Sequence, residues 1–343
     1  MSRKEINVDE LVVHIADPTA NATDRASEGS LRPTDLGQFI GQSELVNHLN
    51  IVLQSAQSRN QTPDHILLSG PPGLGKTSLA AIVAHELGVS MRITSGPVLT
   101  RPGDVAALLT DLAEGEVLFI DEIHRLSRTV EEVLYPAMED RRLDVMIGRG
   151  PSARSIRLEL PRFTLIGATT RTGLVAAPLR DRFGFVGQLD FYTLDELTNV
   201  IERSAKILEI GIATSAAKLI ASRSRGTPRI ANRLLRRVRD FANVHGRPQV
   251  NDETAVAALT TFGIDELGLD KVDRRILEAL CGQFASQPVG VSTLAHVIGE
   301  EPHTIEESYE PFLLREGLLA RSNRGRVATE KAYRHLGQTP PHN

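Results

Sequence analysis

Between residues 31 and 190 two apolar patterns alternate along the chain. Short, largely continuous apolar runs ("HILLSG", "VSMRITS", "EVLFIDE", "FTLIGATT") are separated by longer stretches such as "KTSLAAIVAHEL" and "TVEEVLYPAME" with helical spacing. Continuous runs belong to strands buried on both faces, and strands separated by helices pair in parallel. The pattern predicts an α/β fold, a parallel sheet with helices on both faces.

After "GFVGQLDFY" the strand signal stops. Residues 194–261 read as successive helices, "LDELTNVIERSAKILEI", "SAAKLIASRSR", "PRIANRLLRRVRDFANV" and "DETAVAALTTF". Pro228 stands where a helix can start, which suits its fixed φ and missing donor. From about 268 three short helices are expected. The segment "GLLARSNRGRVAT" follows, two short strand-like runs around a polar turn. Residues 1–30 are polar and lack periodicity, so they read as a mobile tail that the fold does not need. The expected domains are 31–192, 193–265 and 266–343, which suits a chain of 343 residues.

Composition narrows the function classes. Apolar residues make up 41% and charged residues 24%, with a net charge of −4, which argues against a uniformly basic coat for nucleic acid. The lone cysteine, Cys281, cannot form an intrachain disulfide, and no cysteine cluster suggests zinc. The N-terminus lacks the apolar run of a secretory signal, and no 18 consecutive apolar residues occur. A cytoplasmic protein that does not span a membrane is expected.

The chemistry concentrates at strand ends. "GPPGLGKTS" at 70–78 follows "HILL" and opens a helix, the context in which GxxxxGK[ST] signals phosphate binding. Gly70, Gly73 and Gly75 let several N–H groups face one anion, Lys76 supplies a point charge, and the Thr77 hydroxyl can ligate Mg²⁺. "VLFIDE" ends in Asp121, suited to hold Mg²⁺, and Glu122, suited to deprotonate a water. An acid pair after a strand also simply favours a helix start, but pairing with the upstream loop favours the functional reading. Thr169 and Thr170 close another buried strand. "LRDRFG" at 179–184 places Arg180 and Arg182 around an aspartate; two apart, they cannot easily address one phosphate.

The strings "RPTDLGQFIGQ", "GPPGLGKTS", "FIDEIHRLS", "EEVLYPAMED", "LIGATTRTG", "APLRDRFG" and "RGTPRIANRLLRRVRDFA" resemble the RuvB family, bacterial AAA+ motors of Holliday junction branch migration. The resemblance covers about 31 to 336. It implies a P-loop AAA+ core, a helical lid and a C-terminal winged-helix domain. It further implies a homohexameric ring that uses ATP and Mg²⁺, works with RuvA on Holliday junction and duplex DNA, and meets the RuvC resolvase indirectly, in recombination and repair. By the same resemblance Gly73, Gly75, Lys76, Thr77 and Ser78 hold nucleotide, and Asp121 and Glu122 form the acidic pair. Thr170 is sensor 1 and Arg229 is sensor 2. Leu31, Arg32 and Tyr192 are nucleotide contacts. Arg182 is an arginine finger for the neighbouring subunit's γ-phosphate, and Glu139, Asp140 and Arg141 are contacts on the same side. Arg141 departs from the family pattern, where an aromatic is expected.

Between the acidic pair and sensor 1, alternation on both sides of "GRGPSARS" predicts a protruding hairpin at about 143–160. Its Val145, Ile147, Ile156 and Leu158 either pack on the chain's own core or, as the resemblance implies, dock RuvA. Of the seven arginines from Arg223 to Arg239, Arg229, Arg233, Arg236 and Arg237 follow helical spacing and read as one basic helix face. Arg321, Arg324 and Arg326 lie around the expected wing and are the candidates for DNA phosphates. With no tryptophan and 4% aromatics, base stacking is not expected to be the grip. Two other classes compete with a DNA motor. One is a clamp-loader-like ATPase. The other is a protein-remodelling ATPase, whose usual aromatic pore loop is not found.

Overall fold

Every residue of β1 (Ile66–Ser69) is buried, as is every residue of β6 (Thr164–Thr169), because both lie inside the sheet with helices on either side. With β2 (Met91–Ser95), β3 (Val117–Asp121) and β7 (Phe185–Gln188) they form a five-stranded parallel sheet in the order β2-β3-β6-β1-β7. The computed structural model describes residues 29–147, 154–285 and 287–341. The expected tail lies almost wholly outside the described residues, as does the tip of the expected hairpin.

The chain divides into two units, Leu31–Tyr192 and a second that runs from Thr193 onward. In the first, register brings the strand ends to one edge. Ser69 pairs with Thr169 and Gln188, and Ser95 with Asp121. Open parallel sheets hold ligands at this edge. The hairpin forms as β4 (Arg142–Ile147) and β5 (Arg154–Glu159), antiparallel, with Leu143 opposite Leu158 and Val145 opposite Ile156. Leu143 is buried at its base, whereas Ile156 and Leu158 are 44% and 38% exposed.

The second unit begins with helices Leu194–Ile207, Thr214–Ser222, Pro228–Val244 and Asp252–Thr261, tied by a short parallel pair, β8 (Gly211–Ile212) with β9 (Gln249–Val250). Helix Pro228–Val244 departs from the expected basic face: Arg233 and Arg236 are 3% and 9% exposed, so half of that set lies inside the unit. Helices Lys271–Cys281 and Val291–Ile298 follow. The third helical stretch contains a widened π turn, Ile305–Tyr309, just before Pro311, which has no N–H to donate backwards. The wing strands are β10 (Leu319–Ser322) and β11 (Gly325–Ala328), antiparallel. A last helix, Glu330–His335, is too short for its periodicity to show in the sequence.

A charged cluster is buried in this unit. Arg225 is hydrogen-bonded to Asp273 and lies 3.7 Å from Asp270; all three side chains are almost fully enclosed. Asp270 caps helix Lys271–Cys281 by accepting from the N–H groups of Val272 and Asp273. One cation cannot balance two carboxylates in a dry site. Burial therefore pushes the Asp273 carboxyl up to about 8, with Arg225 opposing the shift and Asp270 adding to it.

The sign of the linkage follows. Folded Asp273 keeps a proton that the unfolded chain releases above the ordinary value of 3.8, so its stabilisation is complete below that value and is lost as pH rises to about 8. In differential scanning fluorimetry, Asp273→Asn should lack the part of the wild-type decline in melting temperature that lies between about pH 5 and about pH 8. Parallel curves for the two proteins would show that Asp273 does not hold this proton.

Candidate functional site

The loop between β1 and helix Lys76–Leu87 turns on three glycines with positive φ, Gly70 at 139°, Gly73 at 81° and Gly75 at 105°. A Cβ on Gly70 would lie 2.4 Å from the Leu189 carbonyl oxygen, and one on Gly75 would lie 3.3 Å from the Phe39 ring. No larger residue fits the first position, and left-handed backbone of this kind turns successive N–H groups toward a common centre. The Lys76 ammonium is folded into the loop and donates to the carbonyls of Gly70 at 2.6 Å and Pro71 at 2.8 Å. Loop and helix N-terminus together fit a phosphate chain. Thr77 and Ser78, half-buried, begin the helix. Tyr192 is buried against the loop and donates to the Leu74 carbonyl at 3.3 Å. Leu31 is buried and Arg32 half-buried in the same unit.

Beyond β3, Asp121 accepts from the Glu122 N–H at 2.9 Å. Glu122 itself has φ 50° and ψ 43°, a costly conformation for a residue with a side chain, held where strain concentrates at functional sites. Gly96 makes this possible: a Cβ there would lie 2.4 Å from the Glu122 carbonyl oxygen. The Glu122 carboxylate pairs with Arg125 at 2.9 Å, both about half exposed. Such a surface pair is worth about 0–1 kcal/mol, so the carboxylate is readily freed to accept a proton. Thr169, not Thr170, ends β6; its buried hydroxyl accepts from the Arg171 N–H and shares a hydrogen bond of 2.9 Å with His124 Nδ1. Thr170 is exposed just past the strand. His124 and Arg125 were missed in the sequence; their only signal was their place immediately after the acidic pair.

Arg182 lies apart from these groups, with its guanidinium 4.5 Å above the Tyr135 ring. It donates to the Pro178 carbonyl at 2.5 Å and to Glu139 at 3.1 Å, and Tyr135 in turn donates to Glu131 at 3.1 Å. Glu139, Asp140 and Arg141 are exposed, as is Arg180. Arg141, in left-handed backbone at φ 55°, ends helix Arg128–Asp140, and its carbonyl accepts from Leu160 to close the hairpin base. In the other unit Arg229 is half-buried in the first turn of helix Pro228–Val244.

Three family models match in succession: the Holliday junction DNA helicase RuvB P-loop domain over residues 31–189, the RuvB AAA lid domain over 192–265 and the RuvB C-terminal winged helix domain over 266–337. The chain belongs to the RuvB family. It is 59% identical over 315 residues to a Holliday junction branch migration complex subunit RuvB of Corynebacterium glutamicum, covering 92% of this chain and 87% of that protein. A subunit of the same name from a Mycobacterium species is 60% identical over 314 residues, covering 92% and 88%. The solved Thermotoga maritima RuvB Holliday junction branch migration motor aligns at 47% identity with a TM-score of 0.82, over 91% of this chain and all of that one. Its membership makes the chain a P-loop, nucleotide-binding AAA+ ATPase.

The RuvB-type wing corrects one expectation. Arg326 is not a surface group: it is 5% exposed, donates to Glu310 at 2.7 and 3.0 Å and to Glu306 at 2.8 Å, and sits beside the backbone bridge from β11 to Val289. Its charge is spent inside the domain. Arg321 is exposed but lies 3.5 Å from Glu310, and only Arg324, at the exposed turn, stands clear of these acids among the three. Among the described residues no helix is long and apolar enough to cross a membrane.

Nucleotide binding and hydrolysis should separate by mutation. Lys76→Ala should abolish binding of a fluorescent ATP analogue, whereas Glu122→Gln should bind it within a few-fold of wild type and lose turnover by about 10²–10⁴. Normal turnover in Glu122→Gln would assign the proton acceptor elsewhere.

Proposed function

We propose that this chain is the ATP-driven motor subunit of a Holliday junction branch migration complex, acting with RuvA in recombination and repair. The observation that carries the reading is the joint presence, over nearly the whole chain, of the phosphate loop with its acidic pair and a winged-helix domain of the RuvB type. Neither a clamp loader nor a protein remodeller accounts for all three matches.

Bound ATP with Mg²⁺ supplies the phosphoanhydride bond whose hydrolysis drives the motor. The loop N–H groups and Lys76 hold the phosphates, and Thr77 and Asp121 hold the metal. Glu122 takes a proton at its carboxylate from the attacking water, and Thr170 orients that water. Arg229 is sensor 2, and Leu31, Arg32 and Tyr192 frame the nucleotide. Arg182 serves the nucleotide of a second copy in a homohexameric ring. The exposure of Glu139, Asp140 and Arg180 around it supports a subunit face there. The half-exposed Ile156 and Leu158 on the hairpin support docking of RuvA on that strand pair. RuvC then joins through the junction rather than through this chain.

The test is migration of a synthetic four-way junction with RuvA present, run with mixed mutants. Lys76→Ala keeps its finger without a working site, and Arg182→Ala keeps its site without a finger. Each alone should lose about 10³–10⁵ in turnover, and co-assembled rings should regain ATPase and migration. Inactivity of mixed rings at every ratio would make Arg182 a residue of its own subunit's structure.

The grip on DNA reduces to the wing turn. Arg324→Ala should weaken duplex binding equally for all sequences and lower the salt slope by about 1 in fluorescence anisotropy. Arg326→Ala should instead lower the melting temperature, since it removes the guanidinium hydrogen-bonded to buried Glu310 and leaves that carboxylate only Arg321 at 3.5 Å, a loss of up to about 3–5 kcal/mol. An unchanged salt slope in Arg324→Ala would move the phosphate contacts off the wing.

A further inference from the structure

Arg225 belongs by sequence to the helical lid, yet its side chain is spent on the domain that follows. It takes a left-handed conformation at φ 52°, and Gly226 follows at φ 71°. This pair of turns ends directly at Thr227, which caps helix Pro228–Val244 by accepting from the Ile230 N–H. The guanidinium then reaches three separate pieces of the winged-helix domain. Its Nε donates to the Gly268 carbonyl at 2.9 Å, at the entry turn. Its Nη2 donates to Asp273, in the first turn of helix Lys271–Cys281. Its Cζ lies 4.6 Å above the ring of Phe312, in the third helical stretch.

Other contacts across the same joint run in both directions. The Gly268 backbone passes so close to the lid that a Cβ would lie 2.6 Å from the Arg223 carbonyl oxygen. Arg274 donates back to the Gly263 carbonyl at 2.9 Å, and His335 lies 2.8 Å from Asp265. The joint is therefore buried, charged and geometrically exacting. A planar fork that bonds two groups while stacking on a ring has no substitute among the other cations.

We propose that Arg225 is a positioning residue of the motor, locking lid and winged-helix domain into one body so that lid movement is delivered to DNA. This rests on the function proposed above, in which the winged-helix domain holds the duplex. The bonds and the stack of Arg225 lie within this joint, so its loss acts on coupling rather than on the phosphate loop or the wing turn.

The experiment uses the full chain with Arg225→Lys, which keeps the charge and loses the fork and the stack, and Phe312→Leu, which removes only the ring. Spin labels at the exposed positions Ser222 and Ser292 report the joint directly. Wild type should give one narrow distance distribution, and each variant a broader one. ATP-analogue binding, basal ATPase and duplex affinity should stay within about twofold of wild type, while DNA-stimulated ATPase and junction migration per ATP fall about 5–150-fold, the range of ordinary site–site coupling. Should Arg225→Lys fail to fold, Phe312→Leu carries the same comparison.

Broadened distances with intact migration per ATP would overturn the proposal. So would a loss of basal ATPase and duplex affinity in step with melting temperature, the mark of a merely structural role. A wild-type chain indifferent to duplex DNA would instead overturn the proposed function, and the distances would still decide whether Arg225 makes one body of the two domains.

Discussion

Gly70 has no room for a side chain, because the carbonyl of Leu189 closes over it at the end of β1. The loop that follows depends on this contact. A central strand, paired on both sides and buried on both faces, delivers the backbone to one fixed point, and the chain leaving β7 seals that point from above. With the start so constrained, Gly73 and Gly75 can turn the loop and deliver Lys76 to the head of its helix. The neighbouring strands end at the same edge, so Asp121, Glu122, Thr169 and Thr170 share one rim. Rigid strands with short exits allow a strained residue such as Glu122 to persist, since the surroundings over-determine its backbone.

Much of this was legible in the chain because its causes are local. A buried parallel strand shows as an uninterrupted apolar run, and the phosphate loop needs its glycines and lysine within seven residues of one another. The helices at 76–87 and 228–244 likewise carry their own start signals, a glycine-rich turn in one case and Thr227-Pro228 in the other. The hairpin's two strands were legible from alternation alone.

Charge was the property that the sequence could not place. Arg225, Arg233, Arg236 and Arg326 look alike in a string of letters, and helical spacing or nearness to a wing suggests surface for the last three. The fold buries all four. For Arg326 and Arg225 what decides is an acid elsewhere in the chain: Glu310, 16 residues before Arg326, and Asp273, 48 residues after Arg225. A guanidinium with a remote carboxylate partner can leave water, and no local pattern announces that partner. His124 was overlooked for a related reason, since its bond to Thr169 joins two strand exits far apart in sequence.

The Arg225 cluster bears on how far the chain can be divided into parts. The family segments meet at residues 265 and 266, which invites the view of lid and winged helix as separable modules. A winged-helix domain severed there would keep Asp270 and Asp273 side by side without their cation, and would uncover the Phe312 ring. The lid would keep a cation aimed at nothing. Joining either piece to another ATPase would demand repair of both broken faces at once.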